Sequence, residues 1–102
     1  VYEAAPGKLP ALHARFRDHT LGIFERHGIK NIGYWTNDAG DYSDRLIYIV
    51  AFEDGGHRER AWEAFRTDPE WQKVRAESEV DGPLTARVFN TLLSPTDYSP
   101  LQ

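Results

Sequence analysis

Apolar positions along the chain change period several times, and each change marks an element. Val1-Tyr2-Glu3-Ala4 opens with the β-branched and aromatic character of a strand, and Pro6-Gly7 turns the chain. From Leu9 the period lengthens: at about 100° per residue Leu12, Phe16, Ile23 and Phe24 share one stripe, whereas Arg15, Asp18, Glu25 and Arg26 fall outside it. The spacing predicts one continuous helix that Gly28 stops as its C′ residue. Lys30 to Asn37 reads as a strand, with Ile32 and Tyr34 on one face and Gly33 and Trp35 on the other. Asn37 to Asp44 is a polar hairpin loop containing Gly40.

Arg45 to Glu53 carries the strongest strand pattern, Leu-Ile-Tyr-Ile-Val-Ala-Phe, which is apolar on both faces and so has to be covered on both. Gly55-Gly56 breaks it, and Arg58, Ala61, Trp62 and Phe65 then share a helical face. At Thr67-Asp68-Pro69-Glu70 a second helix begins, either with Asp68 as N-cap and Pro69 at N1 or with Thr67 and Glu70 as a capping box. Trp71, Val74 and Ser78 continue on one side of it, and Asp81-Gly82-Pro83 closes the segment. Leu84 to Leu93 is the expected last strand, with Arg87 on a face it shares with Phe89 and Leu93. Ser94 to Gln102 contains Pro95 and Pro100 and is expected to run as an extended tail.

The order strand, helix, strand, strand, helix pair, strand is the ferredoxin-like βαββαβ arrangement, an α+β fold with an antiparallel sheet and helices on one face. A length of 102 residues suits one such domain spanning residues 1–102. The second sheet face would leave an apolar patch larger than soluble monomers tolerate, so a homodimer joined sheet to sheet is expected.

Composition narrows the function classes. A hydrophobic fraction of 40% with 27% charged residues is that of a globular protein, and no apolar run approaches the roughly 20 residues of a membrane span. A formal charge of −4 argues against a phosphate-binding surface, and hence against nucleic acid as partner. Cysteine is absent, which removes disulfides, thiolate metal sites and cysteine nucleophiles. With no charged-then-apolar leader at the N-terminus, a cytoplasmic location is the expectation, and the short strand before Pro6 reads as clipped.

Four segments in register resemble the NIPSNAP family: Pro6-Gly7-Lys8-Leu9, Gly33-Tyr34-Trp35-Thr36, Ala61-Trp62 followed by Asp68-Pro69-Glu70-Trp71, and Leu93-Ser94-Pro95-Thr96-Asp97-Tyr98-Ser99-Pro100. The resemblance implies the dimeric α+β barrel, in which two ferredoxin-like units pack their sheets face to face, in agreement with the expected homodimer. It supplies no catalytic residue to carry over.

The polar residues inside the first helix's apolar stripe are the sharpest site candidates. His13, Thr20 and His27 project onto it, and an imidazole facing a cavity between helix and sheet would serve as a general base or orient a ligand. The structural alternative places His27 at the helix C-terminus, complementing the dipole, and His13 at the core's edge. Tyr34, Trp35 and Tyr48 are candidates to line a pocket for a small hydrophobic or aromatic ligand, with ordinary core packing as the competing reading. Arg87, charged in an apolar strand, requires a carboxylate across the dimer or an anionic ligand, the partner's carboxylate being favoured.

No metal or cofactor is assigned. His13, His19, His27 and His57 include no i,i+4 pair, and the acidic loop of Asp38, Asp41 and Asp44 lacks the ligand order of a calcium loop. Nucleotide and dinucleotide fingerprints are missing. The leading expectation is a homodimer that binds a small ligand or a protein; the alternative, which only the resemblance to the dimeric α+β barrel group implies, is a cofactor-independent monooxygenase acting on a small aromatic or polyketide-like substrate. In the second, His13 or His27 would be the base.

Overall fold

The structure, a computed structural model, describes residues 1–40 and 43–101. Asp41 of the acidic loop and Gln102 at the end of the tail lie outside the described residues. The elements are β1 (Tyr2–Ala4), α1 (Leu9–Arg15), a π-helical turn (Phe16–Thr20), α2 (Leu21–Arg26), β2 (Lys30–Thr36), β3 (Arg45–Ala51), α3 (Gly55–Arg66), α4 (Pro69–Ser78) and β4 (Thr85–Val88). The strands form one antiparallel sheet in the order β2-β3-β1-β4. This is the predicted ferredoxin-like α+β arrangement.

Local chemistry explains where the helices start and stop. At the end of α2 the N–H of Ile29 donates to Phe24 O at 3.0 Å and that of Gly28 to Glu25 O at 3.1 Å, a Schellman closure with Gly28 at φ +74°. Phe24 and Ile29, the C3 and C″ residues of that motif, are both buried, so the closure also seals the core. Of the two starts open for α4, the chain uses Asp68: its Oδ1 accepts from Glu70 N–H at 2.8 Å and Trp71 N–H at 3.4 Å. The Thr67 hydroxyl instead donates back to Glu63 O at 2.9 Å, closing α3. Asp54 caps α3 by accepting from His57 N–H at 2.7 Å, so Gly55 and Gly56 begin that helix.

Three expectations are corrected. The first helix is not uniform, because Phe16–Thr20 is wound as a π-turn that inserts an extra residue into the repeat. Arg15, outside the apolar stripe, is nevertheless buried: its guanidinium lies over the Trp71 ring, 5.1 Å from the centroid, and reaches Ser78 and Glu79 at 3.3 and 3.5 Å. The last strand ends at Val88 and not at Leu93. Its partner β1 pairs Tyr2 with Val88, and Val1 and Phe89 exchange N–H···O bonds of 2.8 Å at the end of the ladder.

One face of the sheet carries the core. Ala4 and Leu46 from the strands meet Leu12, Phe16, Ile23, Phe24, Phe65 and Val74 from the helices. Phe24 is the hub of the ring packing, 4.8 Å from Phe65, 5.5 Å from Trp62 and 6.4 Å from both Phe16 and Tyr48. Across β2 and β3 the register pairs Tyr34 with Tyr48 and Trp35 with Ile47. Tyr34 and Tyr48 stack inside the core at 5.2 Å, whereas Trp35 and Ile49 are 50% and 38% exposed on the other face.

Candidate functional site

The polar residues predicted on the first helix do not meet. His27 is the C-cap of α2, which aims its ring at the start of α4, and Nε2 lies 2.6 Å from Oδ2 of Asp68. Arg26 joins the same carboxylate at 3.0 Å and reaches Glu70 at 2.7 Å. The His27 hydrogen bond holds the Asp68 carboxyl well below the usual carboxylate range, with Arg26 and the Glu70 and Trp71 N–H groups aiding and burial opposing. Thr20 is buried and donates to its own helix, at Arg15 O, 3.3 Å away. His13 is half-buried one helix segment earlier, and at roughly 1.5 Å per residue it stands about 20 Å from His27 along the axis. The two histidines therefore cannot act on one small substrate.

The remaining predicted residues divide between the two sheet faces. The Tyr34 hydroxyl donates to Asn31 Oδ1 at 2.6 Å, and the Asn31 amide donates to Leu21 O at 3.2 Å, fixing β2 to α2. Trp35 folds back over Gly33, where a Cβ would stand 2.5 Å from the indole, so the glycine makes room for the ring. Arg87 is exposed on the outer face. Its Nε lies 3.6 Å from Glu3, its register partner on β1, so the carboxylate expected from across a dimer comes instead from the same chain, where antiparallel pairing sets the two side chains opposite each other. Arg45 approaches the other oxygen of Glu3 at 4.0 Å and covers the Phe89 ring at 4.9 Å.

Tyr48 is the predicted site residue that borders a cavity. A cleft of about 360 Å³ opens between the helices and strands β1, β3 and β4. Its walls are aromatic: Tyr2 and Tyr48 from the sheet, Trp62 and Phe65 from α3, Trp71 from α4. Burial, then Tyr2, pushes the Tyr48 hydroxyl well above the ordinary phenol range, so at neutral pH it is a proton donor and not a base. Four arginines also line the cleft, Arg15, Arg58, Arg66 and Arg75, and among the described residues Glu79 is the one acidic residue beside them. Arg15 and Arg75 both lean on Glu79, at 3.5 and 3.4 Å, while Arg66 pairs with Glu63. Arg58 makes no ion pair among the described residues.

Sequence reasoning passed over these arginines. The signal was present in α3, where Arg58 falls on the same helical face as Ala61, Trp62 and Phe65: a cation on an apolar face needs an anion or water at its tip. Nothing comparable marked Arg15, whose burial follows from the docking of α1 against α4. Among the described residues no group of three or more His, Asp or Glu side chains is placed to hold a metal ion, and no helix is long and apolar enough to cross a membrane.

The architecture so described is that of a ferredoxin-like α+β protein with one sheet face unpartnered. The NIPSNAP family model matches residues 1–100, and the chain belongs to that family. It is similar to an uncharacterized NIPSNAP domain protein from Burkholderia xenovorans, with 26% identity, 97% of this chain and 92% of that chain covered, and a TM-score of 0.81. A NIPSNAP-like domain protein from the same organism gives 25% identity, coverages of 97% and 83%, and a TM-score of 0.82. A protein from Agrobacterium tumefaciens shares the fold, at 24% identity, coverages of 99% and 93%, and a TM-score of 0.84. No functionally curated protein matches the chain significantly.

Proposed function

We propose that this NIPSNAP protein is a homodimeric small-ligand-binding protein, holding its ligand between the helix layer and the sheet of each protomer. The cleft carries the reading: about 360 Å³ falls within the range of small-molecule sites, and its aromatic walls are packed on the core, hence preformed. Dimerisation through the sheet is supported by the outer face itself. Trp35, Ile47 and Ile49 form an apolar strip on β2 and β3, and the Glu3, Arg45 and Arg87 cluster lies beside it.

The enzymatic alternative requires a base beside the substrate ring. No histidine among the described residues lines the cleft, and Tyr48 holds its proton too tightly for that role. Binding without chemistry is the better-supported reading.

Native mass spectrometry of the protein purified from its own cells, with light scattering on the same sample, tests both parts. A dimer carrying a bound small molecule is the expected result. A monomer at micromolar concentration sinks the dimer, and a protein that arrives empty and takes up no small aromatic compound sinks the binding role.

A further inference from the structure

We infer that the ligand of this cleft is a small organic carboxylate with an aromatic or alicyclic body, its charge held by Arg58 together with Arg66 and Arg75. The inference rests on the small-ligand reading above and adds its chemical class.

Three observations lead to it. The first is the local charge. Acidic residues outnumber Lys and Arg 16 to 12 in the chain, yet among the described residues lining this opening are four arginines and one acidic residue. Such an inversion raises the local concentration of anions in a wall of low dielectric. Burial of Arg15 at 6% exposure, with its Nε lacking any hydrogen-bond partner, adds to the unspent donor capacity on the inner wall.

The second is the geometry of α3. Arg58, Trp62 and Arg66 recur every four residues on one face, so the helix presents an indole between two cations. Among the described residues Arg58 has no carboxylate of its own. Because the guanidinium is a planar fork of donors, it matches a carboxylate with two parallel hydrogen bonds while the indole takes the ring.

The third separates a carboxylate from a phosphate. Phosphate sites on helices use free backbone N–H groups at an N-terminus. Here Asp68 already occupies those of α4, and Asp54 accepts from His57 N–H at the start of α3.

The test uses the full chain after extensive dialysis and three probes: 2-naphthoate, the neutral 2-naphthylmethanol and inorganic phosphate. Indole N–H resonances of Trp62 and Trp71 report the cleft, and that of Trp35 reports the outer sheet face. Naphthoate is expected to shift the first two and leave the third, to bind roughly tenfold to a hundredfold more tightly than the alcohol, and to lose a similar factor in Arg58→Ala, as befits a charged hydrogen-bonded pair. Arg58→Lys, which keeps charge but not the fork, should fall between. Equal binding of the alcohol overturns the carboxylate assignment while leaving small-ligand binding intact. Phosphate binding as tight as naphthoate, an unchanged Arg58→Ala, or a response at Trp35 alone also overturns it. If no probe binds, the assignment fails, and the bound molecule found by native mass spectrometry decides the broader reading separately.

Discussion

The Nε2 of His27 lies 2.6 Å from Oδ2 of Asp68, and through this contact the end of α2 is tied to the beginning of α4. The carboxylate has two duties at once. Its Oδ1 caps the helix that presents Trp71 and Arg75 to the cleft, and its Oδ2 takes the imidazole and the Arg26 guanidinium. The pair is therefore a support for one cleft wall.

Acid sensitivity follows from that arrangement. Asp68 has its carboxyl held below the unfolded-state value of 3.8, so it stabilises the fold fully above that value and progressively less as pH falls toward the lower folded value. Asp68→Asn keeps a capping oxygen but removes this titration. Urea midpoints measured between pH 6 and pH 2 should therefore drop more steeply below pH 4 for the wild type than for Asp68→Asn. Parallel curves would show that the carboxylate contributes no pH-linked stability.

Phe24 touches rings from α3, from the sheet and from its own helix, so its removal leaves a cavity that no single neighbour can fill. Phe24→Ala should cost about 3–5 kcal/mol in chemical denaturation. A loss under about 1 kcal/mol would mean that the helix layer repacks freely.

Two glycines near the end of the first helix should respond in opposite directions to alanine. Gly28 has φ +74°, and a Cβ there would stand 3.2 Å from His57 Nε2, so Gly28→Ala should destabilise by more than about 1 kcal/mol. Gly22 lies within α2, where a Cβ would meet nothing within 4 Å, and Gly22→Ala should stabilise by about 0.5–1 kcal/mol. Thermal melts of the two variants check both signs.

On the outer sheet face, Ile49→Glu places a charge in the middle of the proposed dimer contact without touching the core face. Sedimentation should show a monomer whose circular dichroism is unchanged and whose cleft still binds its probe. A dimer of undiminished affinity would move the interface elsewhere.

Features set by a few neighbouring residues were legible without the fold. Gly28 as C′ residue, a helix start at Thr67 to Glu70 with its two possible caps, and the alternation that puts Tyr34 and Trp35 on opposite faces are all decided by backbone energetics over one turn or one pleat. From these the order of elements, and with it the ferredoxin-like fold, could be read. The limits of the reading fall where a residue's role depends on a distant one. Projection on an ideal helix aligned His13, Thr20 and His27, but that projection contains neither the π-turn nor the partner of each side chain.

By itself, then, the sequence determined the order of helices and strands and the Gly28 helix stop, because periodicity and capping act within short stretches of chain. Tertiary structure alone decided that His27 meets Asp68 across 41 residues, that Arg15 is buried beside Ser78 across 63, and that Arg87 meets Glu3 across the β1–β4 ladder. It also decided that four arginines from three helices border one aromatic opening. The physical reason is common to all of these. Each is a contact between elements that topology brings together, and its energy has no counterpart in the local conformational preferences of either segment.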